Sequence, residues 1–352
     1  MKNYILPTYK RININFISGK GSWLYTKKDK YLDFSSGIAV NCLGHANKKL
    51  IDALQHQSKK IWHTSNLFRI SEQEELAKKL CESSFAEKVF FCNSGAEAIE
   101  GLIKIVRRYH HYLGNYKRKN IIVFDNAFHG RTITSIQAGS SENHRLGFLA
   151  KNNCDCGFNR VKPNEIDLLE KKINSTTAAI LIEPIQGEGG VNTFSLSYFK
   201  KIKKLCEKNN ILLAFDEVQS GIARTGKLFS HQKYGVTPDI MCLAKGLGGG
   251  FPIGAILMTE QVSKCMDFGS HGSTFGGNQL ACSVALAVMK EVTKDSFLQR
   301  VQKNGDFFKE GILKLKKKYS NLIKSIRGEG LLLGIEIGAS NEKFCTLARE
   351  KK

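Results

Sequence analysis

Acidic residues are the first shortage in this sequence: 32 Asp and Glu stand against 53 Lys and Arg, a formal charge of +21. Such an excess admits a nucleic-acid or anionic-membrane partner. The basic residues, however, are spread in short helical groups such as Lys200-Lys201 and Lys203-Lys204 and form no single tail. A Lys-, Asn- and Ile-rich composition with solvated helix faces accounts for them, and neither nucleic acid nor membrane is expected as a partner. A basic surface also favours the approach of dianionic metabolites. No segment is apolar over the length needed to span a bilayer. The start, Met1 to Pro7, carries a charge but no apolar stretch of signal-peptide length, so the chain is read as cytoplasmic. With only five prolines, no repeat and no low-complexity stretch, it has no evident flexible linker. The ten cysteines lack a paired framework; Cys154 and Cys156 are the only close pair, and one C-x-C without a second cluster is weak evidence for a metal site. Reduced, structural cysteines are the expectation.

What is present is an alternation of short apolar runs with helical patterns. The 352 residues, 42% of them hydrophobic, suit one large α/β domain and a smaller part. A strand pair is expected at Trp23-Leu24-Tyr25 and Tyr31 to Phe34, and helices at about 47–62 and 71–83. Strands follow at Val89 to Cys92, Ile121 to Phe124, Ala178 to Ile182 and Ile211 to Phe215, with shorter runs at 240–243 and 253–258. Helices are expected at 96–112 and about 196–208. Buried strands alternating with helices imply a mostly parallel sheet covered on both faces. Ligands of such sheets bind beyond the carboxyl ends of the strands. The expected division is an N-terminal segment 1–46, a large α/β domain 47–290 and a small C-terminal domain 291–352.

The residues just after each strand form a series. Asn93-Ser94-Gly95-Ala96 opens a helix; its free N–H groups and positive dipole end suit a phosphate, though an ordinary cap reads the same way. Phe128-His129-Gly130-Arg131 offers an aromatic face and a guanidinium that can grip a carboxylate. A loop with a core Phe and a surface Arg would look alike. Glu183-Pro184-Ile185-Gln186-Gly187-Glu188 puts two carboxylates in a Gly-rich loop. Asp216 ends an apolar strand, where a carboxylate is costly unless paired; a protonated pyridine nitrogen would pair it, and so would a helix terminus. Lys245 lies between a short apolar strand and Gly246-Leu247-Gly248-Gly249-Gly250, where desolvation would free its amine as a nucleophile. Each signal is weak alone. Their combination, in order along one sheet edge, points to a pyridoxal-phosphate enzyme.

With these motifs, together with Asp33-Phe34-Ser35-Ser36-Gly37-Ile38-Ala39-Val40-Asn41 and Gly272-Ser273-Thr274-Phe275-Gly276-Gly277-Asn278, the chain resembles the class III aminotransferases of the ornithine and acetylornithine type. The likeness runs from about Tyr31 to Ile337. It implies the PLP-dependent transferase fold of type I and pyridoxal 5'-phosphate as cofactor. It implies that Gly95 and Ala96 bind the phosphate, Phe128 stacks on the ring, and Asp216 pairs with the pyridine nitrogen beside Val218 and Gln219. Lys245 would carry the cofactor as a Schiff base and shuttle the proton. Thr274 would reach the phosphate in the neighbouring subunit, which implies a homodimer with shared sites. Arg131 would take the substrate carboxylate near Ser273, with Glu188 and Ile38 also at the substrate. Gly37, where ornithine-type members have Tyr, would leave room for an acyl group. The implied reaction moves the δ-amino group of N2-acetyl-L-ornithine to 2-oxoglutarate, in arginine biosynthesis. Ornithine and succinyl-diaminopimelate are alternative donors.

Three departures from the family pattern stand out. Gly44-His45-Ala46 lacks the usual Pro after His45, and Ile99 stands where Asn is usual. The family also continues beyond the last strand, about 331–337, with an Arg that pairs with the residue matching Glu188. Here the expectation is an unpaired Glu188, an exposed strand edge and, as an alternative reading, a cofactor-binding remnant with impaired turnover.

Overall fold

The structure, a computed structural model, describes residues 4–149 and 157–352. The Cys154–Cys156 pair lies outside them. Short antiparallel strands β1 (Ser18–Lys20), β2 (Trp23–Tyr25) and β3 (Lys30–Leu32) open the chain. The strands β4 (Lys88–Cys92), β5 (Asn120–Phe124), β6 (Phe158–Val161) and β7 (Thr177–Ile182) follow. A small hairpin comes next, β8 (Ile185–Gln186) and β9 (Asn192–Thr193). Then come β10 (Leu212–Asp216), β11 (Ile240–Leu243), β12 (Gly254–Met258) and the closing antiparallel pair β13 (Ile323–Glu329) and β14 (Leu332–Ile337).

Seven of these strands form the central sheet in the order β4-β12-β11-β10-β7-β5-β6. Only β12 runs against its neighbours, so the carboxyl ends of the other six gather along one edge. The inner strands β7, β10, β11 and β12 are buried along their whole length, because helices cover both faces. The period of two is visible in the packing. Ile122, Phe124, Ile180, Ile182, Leu213, Phe215, Met241 and Leu243 join one core cluster. Their alternates Ile121, Val123, Ala179, Leu181, Leu212, Ala214, Ile240 and Cys242 join the other. Burying a side chain of this size stabilises the fold by about 1.5–3 kcal/mol, and the sheet is thereby a rigid base for the loops at its edge.

The helices Lys48–Ser58 and Ser71–Glu82 begin where the periodicity places them, the first four residues shorter than the pattern allows at its far end. Asn47 caps the first by accepting the Lys49 N–H at 3.0 Å. The strand β6 carries polar residues Asn159 and Arg160 at the sheet edge, which is why its apolar signal is weak. β14 pairs with β13 and with no other strand among the described residues, its residues half-buried rather than enclosed. Among the described residues no helix is long and apolar enough to cross a membrane, and no His, Cys, Asp and Glu cluster could hold a metal ion.

Candidate active site

The sheet edge holds a cavity of about 380 Å³ lined by residues from five strand ends, among them Gly95, Ala96, Phe128, Arg131, Glu183, Glu188, Asp216, Val218, Gln219 and Lys245. Its volume suits a cofactor-sized ligand. One wall is the start of the helix Gly95–Tyr112. Ser94 caps it by accepting the Glu97 N–H at 3.2 Å, and Glu97 reaches back to the Asn93 N–H at 2.7 Å. The N–H groups of Gly95 and Ala96 are left without an acceptor among the described residues, facing the cavity with the positive end of the helix dipole. A side chain at position 95 would stand 2.8 Å from a Val218 methyl, so the cradle closes only around glycine.

The strand β10 brings Asp216 to the cavity floor, 5% exposed. One of its oxygens accepts the Val218 N–H at 3.0 Å and the other pairs with His129 Nδ1 at 2.7 Å. His129 is itself buried, and its Nε2 has no partner among the described residues. Phe128, the neighbour of His129, is anchored by its N–H, which donates to Glu183 Oε2 at 3.1 Å. The Arg131 guanidinium lies 5.6 Å from the Phe128 ring and is exposed at the mouth. Gln219 packs so closely on Gly187 that any side chain there would overlap it.

Lys245 follows β11 in a left-handed backbone conformation, φ +42°, uncommon for a residue with a side chain. Strain of this kind collects at functional sites. Burial lowers its amine pKa, with Arg224 acting in the same sense, while the carboxylates of Asp216, Glu188 and Glu183 oppose the shift. Burial and the neighbouring Asp216 carboxylate push Glu183 well above the usual carboxylate range. Burial likewise raises Glu217 to about 8, against the pull of the His231 and Ser230 N–H groups. Asp216 is thus the carboxylate on this floor with a hydrogen-bonded imidazole as partner.

Not every expected site residue lies here. Ser273 and Thr274 line a separate cavity of about 790 Å³ with His63, Asn66 and His271. Ser273 joins the two regions through Asn93 Nδ2, which donates to its hydroxyl at 3.3 Å. Ile38 is exposed in a left-handed turn over Ser36 to Ala39, and Val40 is the residue of that segment that lines the site. Glu188 lines the site but forms no ion pair among the described residues. Arg327 instead meets Glu336 at 3.3 Å. Sequence reading missed His129 as the partner of Asp216 and Glu183 as the anchor of Phe128. The signal available was adjacency alone: an imidazole beside the ring-stacking residue.

A family model described as "Aminotransferase class-III" matches residues 4–351. The chain belongs to the class III aminotransferases. Among curated relatives, the acetylornithine aminotransferase 1 of Bradyrhizobium diazoefficiens is 48% identical over 99% of this chain and 86% of its own length. The acetylornithine aminotransferase of Clostridium acetobutylicum is 43% identical over 100% and 90%. Among solved structures, the ornithine aminotransferase of Toxoplasma gondii superposes with a TM-score of 0.90 at 31% identity, covering 95% of this chain and 80% of that one. The N-acetylornithine aminotransferase of Stenotrophomonas maltophilia gives 0.80 at 34%, with 95% and 82% covered. This class III enzyme is therefore a PLP-dependent transaminase of the type I fold, with its mostly parallel central sheet and surrounding helices.

The residues present fit pyridoxal phosphate. The uncapped N–H groups of Gly95 and Ala96, the buried Asp216 carboxylate and the Lys245 amine share one cavity wide enough for the ring. When bound, the cofactor supplies an electron-accepting ring for the carbon that loses its proton. The protein supplies the rest. Asp216 would hold a positive charge at the pyridine nitrogen, His129 would keep Asp216 aimed, and Phe128 and Val218 would bound the ring faces. The desolvated Lys245 amine would take and return protons, and Arg131 would orient the substrate carboxylate at the mouth.

Proposed function

We propose that the enzyme moves the δ-amino group of N2-acetyl-L-ornithine to 2-oxoglutarate, giving N-acetylglutamate semialdehyde and L-glutamate, a cytoplasmic step of arginine biosynthesis. One observation carries the choice of donor. Curated relatives at 43–48% identity bear the acetylornithine name, while solved structures of acetylornithine and ornithine type stand at similar identities, 34% and 31–32%. The small residue at Gly37, where ornithine-type members have Tyr, supports the same reading, because a bulky ring at this position would compete with an acyl group for space. Glutamate formation with 2-oxoglutarate as acceptor tests it. We expect kcat/KM for N-acetylornithine to exceed that for ornithine and 4-aminobutyrate by roughly tenfold or more. A preference for free ornithine would overturn the assignment, and no turnover with any donor would favour the remnant reading.

The reading includes a homodimer with shared sites. Its support is the location of Thr274, turned towards its own cavity, beside exposed apolar residues Leu67, Phe268 and Phe275. Sedimentation should give about twice the chain mass of 39.3 kDa. In mixed dimers of Lys245→Ala and Thr274→Val chains, any site combining both defects should be silent. A monomer of full activity would contradict this.

A further inference from the structure

Behind the Lys245 turn lies a second cavity, of about 370 Å³, whose walls include Asp33, Asn41, Cys42, His45, Lys49, Arg224, Glu291 and Arg300. Cys42 on its wall ties it to the Lys245 turn, the thiol donating to the Gly246 carbonyl at 3.2 Å. The charges on its wall do not cancel. Asp33 is fully occupied, by His45 Nε2 at 2.7 Å, the Ser35 hydroxyl at 2.7 Å and the N–H groups of Ser35 and Ser36 at 3.0 Å. Glu291 is held by Lys49 at 2.7 Å and Lys294 at 2.9 Å. That leaves two guanidinium groups. Arg300 rests on the Phe297 ring at 5.1 Å and meets no carboxylate among the described residues. Arg224 makes no side-chain hydrogen bond or ion pair among them either, and its buried Nη2 has no partner.

Arg224 is not free to leave. Ile222 and Ala223 before it are both left-handed, and its carbonyl accepts the Leu331 N–H at 3.0 Å, pinning the backbone to the β13–β14 hairpin. Burial lowers its pKa from the ordinary value, with Cys42 opposing the shift. Arg224 is half-buried, with its Nη2 enclosed, and a guanidinium offers five donors and no acceptor. Left unpaired it is costly, and a polar cavity of this size has room for the group that would satisfy it.

We propose that this cavity is a second binding site, for a tetrahedral dianion of the phosphate class, gripped by Arg224 and Arg300 with the side-chain amide of Asn41 on the same wall. Such a ligand would also reach the chemistry. Lys245 feels Arg224 as a positive charge, together with the carboxylates of Asp216, Glu188 and Glu183. Neutralising Arg224 therefore favours the protonated side of the Lys245 equilibrium, and pH-dependent steps should move to higher pH. The site is independent of which amine the enzyme accepts.

The test is thermal unfolding of the cofactor-loaded enzyme titrated with inorganic phosphate, and separately with glycerol phosphate, at constant ionic strength set by chloride. Loading the cofactor keeps its own phosphate seat closed to the probe. We expect a saturable rise in the unfolding midpoint with phosphate, and a shift of the pH midpoint of the cofactor's visible band to higher pH. Protection by glycerol phosphate as well would identify the site as one for phosphomonoesters; protection by phosphate alone would restrict it to the free ion. Arg224→Gln and Arg300→Gln should each weaken the apparent affinity by about tenfold or more. Arg300 is on an exposed helix face, so Arg300→Gln should fold and turn over normally without phosphate, and it answers the question even if Arg224→Gln is unstable. General exclusion of phosphate from protein surfaces would stabilise wild type and Arg300→Gln alike. Equal protection of the two, or no protection beyond chloride, would overturn the proposal.

Discussion

Replacing Lys245 by Ala should lower kcat by at least about 10⁴-fold while leaving the fold intact. The turn that carries Lys245 is built from main-chain bonds, Leu247 N–H to Ala244 O at 2.9 Å and Gly248 N–H to Lys245 O at 3.1 Å. None of them needs the side chain. Ala at φ +42° pays the same backbone cost as Lys, so no stability is gained or lost there. What disappears is the amine: the one lysine among the residues lining this cavity, its pKa lowered by burial so that more of it is free to act as a nucleophile and base. Arg131 is untouched, so substrate should still bind with a KM within a few-fold of wild type. Two measurements check the prediction. Circular dichroism should superpose on that of the parent, and borohydride should no longer fix the cofactor to the chain. A reduced adduct on the Lys245→Ala protein would assign the chemistry to another amine.

The second large effect is expected at Asp216. Asp216→Asn preserves the shape of the side chain and one acceptor for the Val218 N–H, but removes the charge. A cation at the pyridine nitrogen would then face a neutral amide in a desolvated site, and kcat should fall by about 10²–10³-fold. Because Asn can still bond His129, the loss in unfolding stability should be small beside the loss in rate. His129 acts through Asp216. His129→Gln should cost less, about 10–100-fold, and should change the pH profile and the visible spectrum of the bound cofactor, which a purely structural role would leave alone. The check is single-turnover kinetics with saturating cofactor across pH 6–9. Rates in Asp216→Asn within about threefold of wild type would show that the charge at this position is dispensable. The expected order of effects, Lys245 above Asp216 above His129, follows from the proposed roles: the first would exchange the proton, the second would stabilise charge, and the third would hold the second in place.

The sheet was legible because its inner strands are apolar on both sides and separated by helical periods; a strand such as Leu212–Asp216, followed by a carboxylate, announces both its burial and its end. Local chemistry was legible for the same reason. Small residues before a helix, an aromatic beside Gly and Arg, and a Lys before three glycines are patterns confined to a few positions, so the chain alone determined six of the seven central strands, the order of their strand-end motifs and the family to which they belong, while the polar edge strand β6 (Phe158–Val161) gave no readable signal. It did not determine who touches whom across the sheet. The bond from His129 to Asp216 spans 87 positions, and the contact from Phe128 to Glu183 spans 55. Neither spacing has a period, since each depends on how loops from different strands meet at one edge. The same holds for Thr274, set apart from Lys245 by the folding of a single chain, and for Ile38, turned outward by a left-handed segment in which Val40 takes the cavity wall. Charge balance is tertiary too. Sequence counts 53 basic residues, but only packing reveals that Asp33 and Glu291 are already satisfied and Arg224 is not, because a burial cost falls on a particular side chain in a particular place.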